Sequence, residues 1–491
     1  MEPLSGIAVD VPANVQRGEA ARLFPVLSET SREGRAVSVF LASLSVVDTL
    51  ADSLLRRLGR PIGTRTKINC FTEIVLKSDP QFRPDGLIVI DTGRETWSAL
   101  VECKVGKAII DAEQLEHYVK KARENDIDCV ITISNELVPD PRRPPTVLDG
   151  RLTKTVGHFH YSWLAIQSEA EMAYAQALVS DPEKNFILAE LIRFLSHPSA
   201  GVEGFDQMPT EWPEVIGEIA AGRNPKKSDP RLSEIADAWL QQEKELSLIL
   251  SRLVSRRCPS RSERRLRRDS YDPHGEIVQE LADEQSLITD FSVPDAASEI
   301  SVRADLKSKS SRVSMMLRAP EDRKRPEARL NWLLGQLKAA EPKDIEIVAY
   351  WPGRAKPTYG TLAALRDNPK LIVDQNVGMT PSGFEVAQHC HTPASFAGRK
   401  RFIQDLQVAV QDFYGNVGKL LTAWSPKPPI PDEKTAATRI TEGSIIDPAR
   451  PDSQSVIAGA EVQTGDSQLM TSGENAIAAS NAPPKESTTS K

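Results

Sequence analysis

The chain reads as α/β: a mixed sheet with helices on both sides, followed by a second unit of α/β or α+β type. Three observations predict this. Apolar residues spaced by three and four over residues 31–58 mark a helix ahead of three closely spaced apolar runs. A polar-faced helix and the unbroken apolar run CVITIS follow, the latter typical of a strand covered on both faces. Beyond residue 270, strand-like and helix-like patterns appear again. With 491 residues the chain can form two or three domains.

Residues 1–29 are dotted with Pro and Gly and are expected to be loosely ordered. Thr30 or Ser31 can cap the first helix. Its stripe runs from Val37 through Leu44, Val47 and Leu54 to Leu58 as one continuous helix, and Gly59 ends it. A strand over residues 69–76 comes next. Simple alternation puts Phe71, Glu73 and Val75 on one face, so Glu73 is either a site acid or a charge at the sheet rim. Asp79-Pro80 and Arg83-Pro84 mark a turn into a strand over 85–90, and Asp91-Thr-Gly-Arg94 closes a hairpin onto a strand over 97–105.

That third strand carries Glu102 and Lys104 two apart, so both project to one side, beside Asp85 on the neighbouring strand. Buried charges are costly unless paired or metal-bound. Oxygen ligands at such a convergence suit Mg²⁺, and a lysine there can hold water or offset phosphate charge. Asp111 caps a helix over 112–125 that packs through Leu115, Tyr118, Val119 and Ala122, with Gln114 and Tyr118 on one face.

The pattern Pro84-Asp85 … Glu102-x-Lys104, followed by Gln114-Leu-Glu-His-Tyr118, resembles the PD-(D/E)xK motif of the restriction-endonuclease-like nucleases, in the branch that contains RecB-type enzymes. The resemblance covers residues 33–164, roughly a quarter of the chain. It implies a restriction-endonuclease-like core and Mg²⁺-dependent DNA hydrolysis, with Mn²⁺ as a substitute. It gives Asp85, Glu102, Lys104 and Gln114 catalytic roles. It implies a metal held by Asp85, Glu102 and the carbonyl of Cys103, with Glu73 or Glu33 as a further acid. For Gln114 it implies a hold on phosphate or on Lys104; the residues alone equally allow a surface glutamine beside a core tyrosine. Glu33, near the start of the first helix, equally suits the helix dipole.

A strand over 129–134, a Pro-rich loop and a last core strand over 156–163 complete this unit. His158 and His160 alternate onto one face, expected to be a solvated one, since no third zinc ligand accompanies them. The division expected is a core over 30–165, a helical extension over 166–225, a connecting helix and basic linker over 226–269, the second unit over 270–424 and a disordered tail over 425–491. The helix over 232–254 suits a short coiled coil or a connector. The stretch RLVSRRCPSRSERRLRR over 252–268 either binds phosphate or is a solvated linker marking a domain boundary. Arg318, Arg323, Lys324, Arg325 and Arg329 form a second basic cluster, expected to be a solvated loop, and His389-Cys390-His391 lacks partners for a metal site.

A net charge of −7 argues mildly against a nucleic-acid binder, since local patches decide binding. Five scattered cysteines without a CxxC suit a reducing compartment, and neither a signal layout nor a membrane-spanning apolar run is present, so a cytoplasmic protein is expected. The leading functional expectation is a DNA nuclease with a role in defence or repair. The alternative is a catalytically silent binding or signalling module on the same fold. A homodimer, or a protein partner bound through the second unit, is compatible with either.

Overall fold

Strand β1 (Val15–Ala20) lies at the edge of a six-stranded sheet, antiparallel to β2 (Lys67–Leu76). The N-terminal segment is therefore not loose throughout: Val15 is buried against the core, and two register shifts fit the strand to its neighbour. The computed structural model describes residues 11–25, 27, 31–266, 271–390 and 393–426, all in one compact unit. The tail beyond 426, Thr30, Arg267, Arg268 and His391 lie outside the described residues.

The first sheet continues with β3 (Gly86–Asp91), β4 (Thr96–Cys103), β5 (Cys129–Ser134) and β6 (Gly157–Ser162), in sequence order across the sheet. The first four strands pair antiparallel. β5 joins β4 in parallel after helix α3 (Ala112–Glu124), and β6 joins β5 in parallel. One face packs on Tyr118, Leu115 and Val119 of α3. The other packs on α1 (Arg32–Val46), α2 (Asp48–Leu55), α4 (Trp163–Ala175) and α5 (Pro182–Ser196). The mixed sheet with helices on both faces matches the expected class.

The expected first helix is two helices, bent by 104°. Val47 is extended at the break, yet fully buried, as is Leu50 beyond it, so the apolar spacing reads straight through. In the last turn of α1, Ser43 and Ser45 return their hydroxyls to the carbonyls of Val39 and Ala42, contacts that bend helices. Gly59 ends the run in the left-handed conformation, as expected. Among the described residues no single helix is long and apolar enough to cross a membrane.

A second correction concerns β2. Glu73 has φ +53 and sits at a bulge, where Arg17 pairs with Val75 and Glu19 with Thr72. The extra residue breaks the alternation. Phe71, Ile74 and Leu76 share a core, rather than Phe71 and Val75, and Glu73 turns out to solvent.

The second sheet is wholly antiparallel, which decides for α+β. Its strands are β7 (Ser286–Phe291), β8 (Ile300–Asp305), β9 (Ser310–Arg318), β10 (Ile345–Tyr350), β11 (Thr358–Thr361) and β12 (Gly383–His389), in spatial order 11-10-12-9-8-7. Its core takes in α6 (Trp212–Ala220), α7 (Pro230–Val254), α9 (Pro273–Glu284) and α10 (Pro326–Gln336). Three short helices, α11 (Leu362–Asp367), α12 (Lys370–Val373) and α13 (Pro393–Phe396), and the long α14 (Arg399–Asn416) complete it. The expected extension therefore divides: α4 and α5 pack on the first sheet, while α6 and the expected connector α7 belong to the second core. Helix α7 is neither a coiled coil nor a bare connector: Leu232, Trp239, Leu246 and Leu250 are fully buried.

The described residues of the basic stretch are likewise tied into the protein by ion pairs rather than forming a solvated linker. Arg257 pairs with Glu169 at 2.6 Å, Arg261 with Glu280 at 2.5 Å, Arg265 with Glu276 at 2.5 Å and Arg256 with Asp295 at 2.5 Å. Short helix α8 (Arg261–Arg265) runs through it, and Ser260 bridges to Phe291 of β7. In the second cluster Arg318 pairs with Glu321 and Arg329 donates to the carbonyl of Pro381, while Lys324 and Arg325 are exposed.

Candidate functional site

Glu102 is one residue from the end of β4 and only 3% exposed. Alternation along β4 sends Ala99, Val101 and Cys103 into the α1/α4 core and Leu100 into the α3 core, so Glu102 faces α3. Helix α3 starts where Asp111 accepts a hydrogen bond from the backbone N–H of Gln114 at 2.9 Å. That start fixes the phase that brings Gln114 and Tyr118, one turn apart, to Glu102. Gln114 Nε2 donates to Glu102 Oε1 at 2.6 Å, and the Tyr118 hydroxyl donates to Oε2. Lys104 Nζ donates to Oε1 at 2.5 Å and lies 3.7 Å from Glu33 Oε2.

Asp85 immediately precedes β3, and its Oδ2 accepts from the backbone N–H of Cys103 at 2.8 Å. Gly86 lets β3 lie against α1: a Cβ there would stand 2.5 Å from Leu41 Cδ1. Glu33, near the start of the same helix, reaches Lys104. Burial, then the charge of Glu102, push Asp85 up to about 7. Burial opposes the charge on Lys104, but the Glu102 hydrogen bond and the charges of Glu102, Glu33 and Asp85 raise its pKa above the ordinary value, so it is an ammonium. Burial and the same carboxylates push Tyr118 and the Cys103 thiol well up, so both stay protonated.

A cavity of about 900 Å³ opens beside Asp85, lined also by Glu33, Glu73, Arg17, Arg22, Arg32 and Arg83. The donors at its Asp85 side fit a hard dication. They are carboxylate oxygens crowded enough that burial and mutual repulsion hold one proton on Asp85 near neutrality. Mg²⁺ takes one or two carboxylates and keeps several waters. Among the described residues no three His, Cys, Asp or Glu side chains gather into a metal-holding group, so water and backbone oxygen would complete the shell.

Asp85, Glu102, Lys104 and Gln114 are thus brought together. Gln114 holds the Glu102 carboxylate rather than a surface position. Glu33 touches the cluster through Lys104, and Glu73 lines the cavity from its bulge. The hydroxyl of Tyr118 was missed as a site group; its place four residues after Gln114, on the same helix face, was the available signal. The four arginines were missed because they come from separate segments.

His158 and His160 do not face solvent as expected. His160 is 1% exposed, its Nδ1 3.0 Å from the Thr132 hydroxyl and its Nε2 3.0 Å from the carbonyl of Glu136. His158 Nε2 lies 3.3 Å from the same hydroxyl, and burial pushes both imidazoles down to about 4.

Beyond β4 the chain is tied down. The Lys104 carbonyl accepts from the Trp163 indole at 2.8 Å. Gly106 N–H donates to the Gly201 carbonyl at 2.8 Å, and the Asn135 amide donates to the carbonyls of both glycines. Asn135 Oδ1 accepts from the backbone N–H of Glu203 at 3.1 Å.

No family model matches the chain, and no curated protein matches it.

Proposed function

We propose that this protein is a Mg²⁺-dependent deoxyribonuclease of the PD-(D/E)xK type. The observation that carries this reading is the meeting of Asp85, Glu102 and Lys104 at one end of a mixed sheet, with Gln114 and Tyr118 fixing the central glutamate. Asp85 and Glu102 would hold the metal, aided by the Cys103 carbonyl and by Glu33 or Glu73. A bound Mg²⁺ supplies polarisation of the scissile phosphate and stabilisation of the leaving oxygen.

Lys104, as an ammonium, orients the attacking water and offsets phosphate charge; its raised pKa makes it a poor proton acceptor. Gln114 and Tyr118 hold Glu102 in one rotamer, so its oxygens need not reorganise as charge develops. The test is purified protein with linear, circular and single-stranded DNA, in Mg²⁺, Mn²⁺ or EDTA, beside Lys104→Ala. Metal-dependent cleavage that the variant lacks is expected. Equal cleavage by the variant removes Lys104 from the chemistry.

One observation favours a second reading, a binding module without catalysis. The net charge is −7, with no overall basic excess to draw in a polyanion. Titration calorimetry separates the two readings: a binding module gains nothing from Mg²⁺ at Asp85 and Glu102.

A further inference from the structure

The cavity beside Asp85 has walls that say what enters it. Arg17 on β1 and Arg22 just beyond it share Glu19, at 3.4 and 2.8 Å. Arg32 opens α1 and is exposed. Arg83, two residues before Asp85, is held against the carbonyls of Pro80 and Phe82. Four guanidiniums thus line the volume, facing the carboxylates of Glu19, Glu33, Glu73 and Asp85, and guanidiniums are the side chains best shaped for phosphate oxygens.

The first turn of α1 adds to this. Ser31, Arg32, Glu33 and Gly34 line the cavity, so the positive end of the α1 dipole borders the same space.

Size and chemistry narrow the ligand. A volume of 900 Å³ is about 10 Å across if equidimensional, room for one nucleic-acid strand, whereas a duplex spaces its two strands across grooves of about 6 and 12 Å. Among the described lining residues none is aromatic. Such a lining offers sequence-tolerant contact through the nucleic-acid backbone.

We infer that the cavity takes a single DNA strand, as a free end or an unpaired segment, gripped by its phosphates through Arg17, Arg22, Arg32 and Arg83 without base preference. This rests on the nuclease reading of Asp85, Glu102 and Lys104. The N-terminal strand is then part of the substrate site, because two of the four arginines stand on it or directly after it.

The experiment reads binding apart from cleavage. Anisotropy of a fluorescein-labelled 20-nucleotide single strand, and of a blunt hairpin duplex of the same composition, is followed in EDTA over a salt series. Wild type, Arg17→Ala and Arg83→Ala are compared, with circular dichroism melts as the folding control. Single strand is expected to bind at least about tenfold tighter than the blunt duplex, with oligo-dT and mixed sequence alike. Each variant should lower the slope of log affinity against log salt by about 0.7, one phosphate contact on a single strand. Duplex bound as tightly as single strand, or slopes unchanged in both folded variants, overturns the inference. Single-strand binding with the expected slopes but no metal-dependent cleavage leaves this site standing and removes the nuclease reading. Cleavage without strand preference does the reverse.

Discussion

Lys104 and Lys244 each give a proton-bearing amine to a glutamate largely out of solvent, but their surroundings differ. Lys244 on α7 is 4% exposed and meets Glu263 of α8. Glu263 also accepts from the Ser247 hydroxyl at 2.9 Å and the Ser260 N–H at 3.0 Å, closing a capping box. Burial lowers the pKa of Lys244, and Arg57 and Arg257 add to that, while Glu263 offsets part of it. Lys104 instead faces three acids, Glu102, Glu33 and Asp85, and its pKa rises. The first arrangement balances its charges and uses its lone pairs for architecture. The second leaves a surplus of negative charge that only a proton or a cation relieves. A surplus of this kind, rather than burial alone, separates a chemical site from a structural ion pair.

The contrast is most exposed at Lys104. Lys104→Ala, Asp85→Ala and Glu102→Ala should each cut metal-dependent cleavage on the order of 10³-fold, with the folded circular dichroism spectrum retained. Retained cleavage in a variant would return its residue to the structural class. Lys244→Ala should do the opposite. Stranding Glu263 should cost about 3 kcal/mol in urea denaturation, while folded protein cleaves as wild type does. Loss of cleavage at unchanged stability would break the comparison.

Asp85→Asn tests the surplus charge directly. The folded Asp85 titrates at about 7, against an ordinary value near 3.9 in the unfolded chain. Between those values the folded state keeps a proton that the unfolded state loses. Metal-free stability should therefore fall as pH rises from about 4 to about 7, and level off above. In EDTA at pH 8, Asp85→Asn should be more stable than wild type by about 2 kcal/mol. Mg²⁺ should raise the melting temperature of wild type alone. Equal melting curves across that pH range would sink the crowded-carboxylate account. Tyr118→Phe should have the smallest effect, a loss of about 1 kcal/mol of stability for one hydrogen bond, with cleavage down about tenfold.

Five strands of the first sheet were legible because each has its own turn signals, and Asp111 announced α3, whereas β1 lay in a segment read as loose. The site was legible where a spacing rule applied: Glu102 and Lys104 two apart on a strand, Gln114 and Tyr118 four apart on a helix. What failed was what pattern cannot carry. The break at Val47 preserves the apolar spacing on both sides. The bulge at Glu73 adds one residue that no alternation can foresee. The arginines between 252 and 265 read as either a phosphate patch or a solvated linker because their carboxylate partners, among them Glu169, Glu276 and Asp295, come from elsewhere in the sequence. The two histidines of β6 read as solvated because their partners, the Thr132 hydroxyl and the Glu136 carbonyl, also lie on another segment.

The Asn135 amide, joined to Gly106, Gly201 and Glu203, has a practical consequence for dividing the chain. A chain truncated near residue 200 would lose the Gly201 carbonyl and the Glu203 N–H that anchor the segment immediately after Lys104. The smallest active fragment of this protein should therefore extend well past the first sheet. Limited proteolysis that cuts near 201 should inactivate it even while both halves stay together.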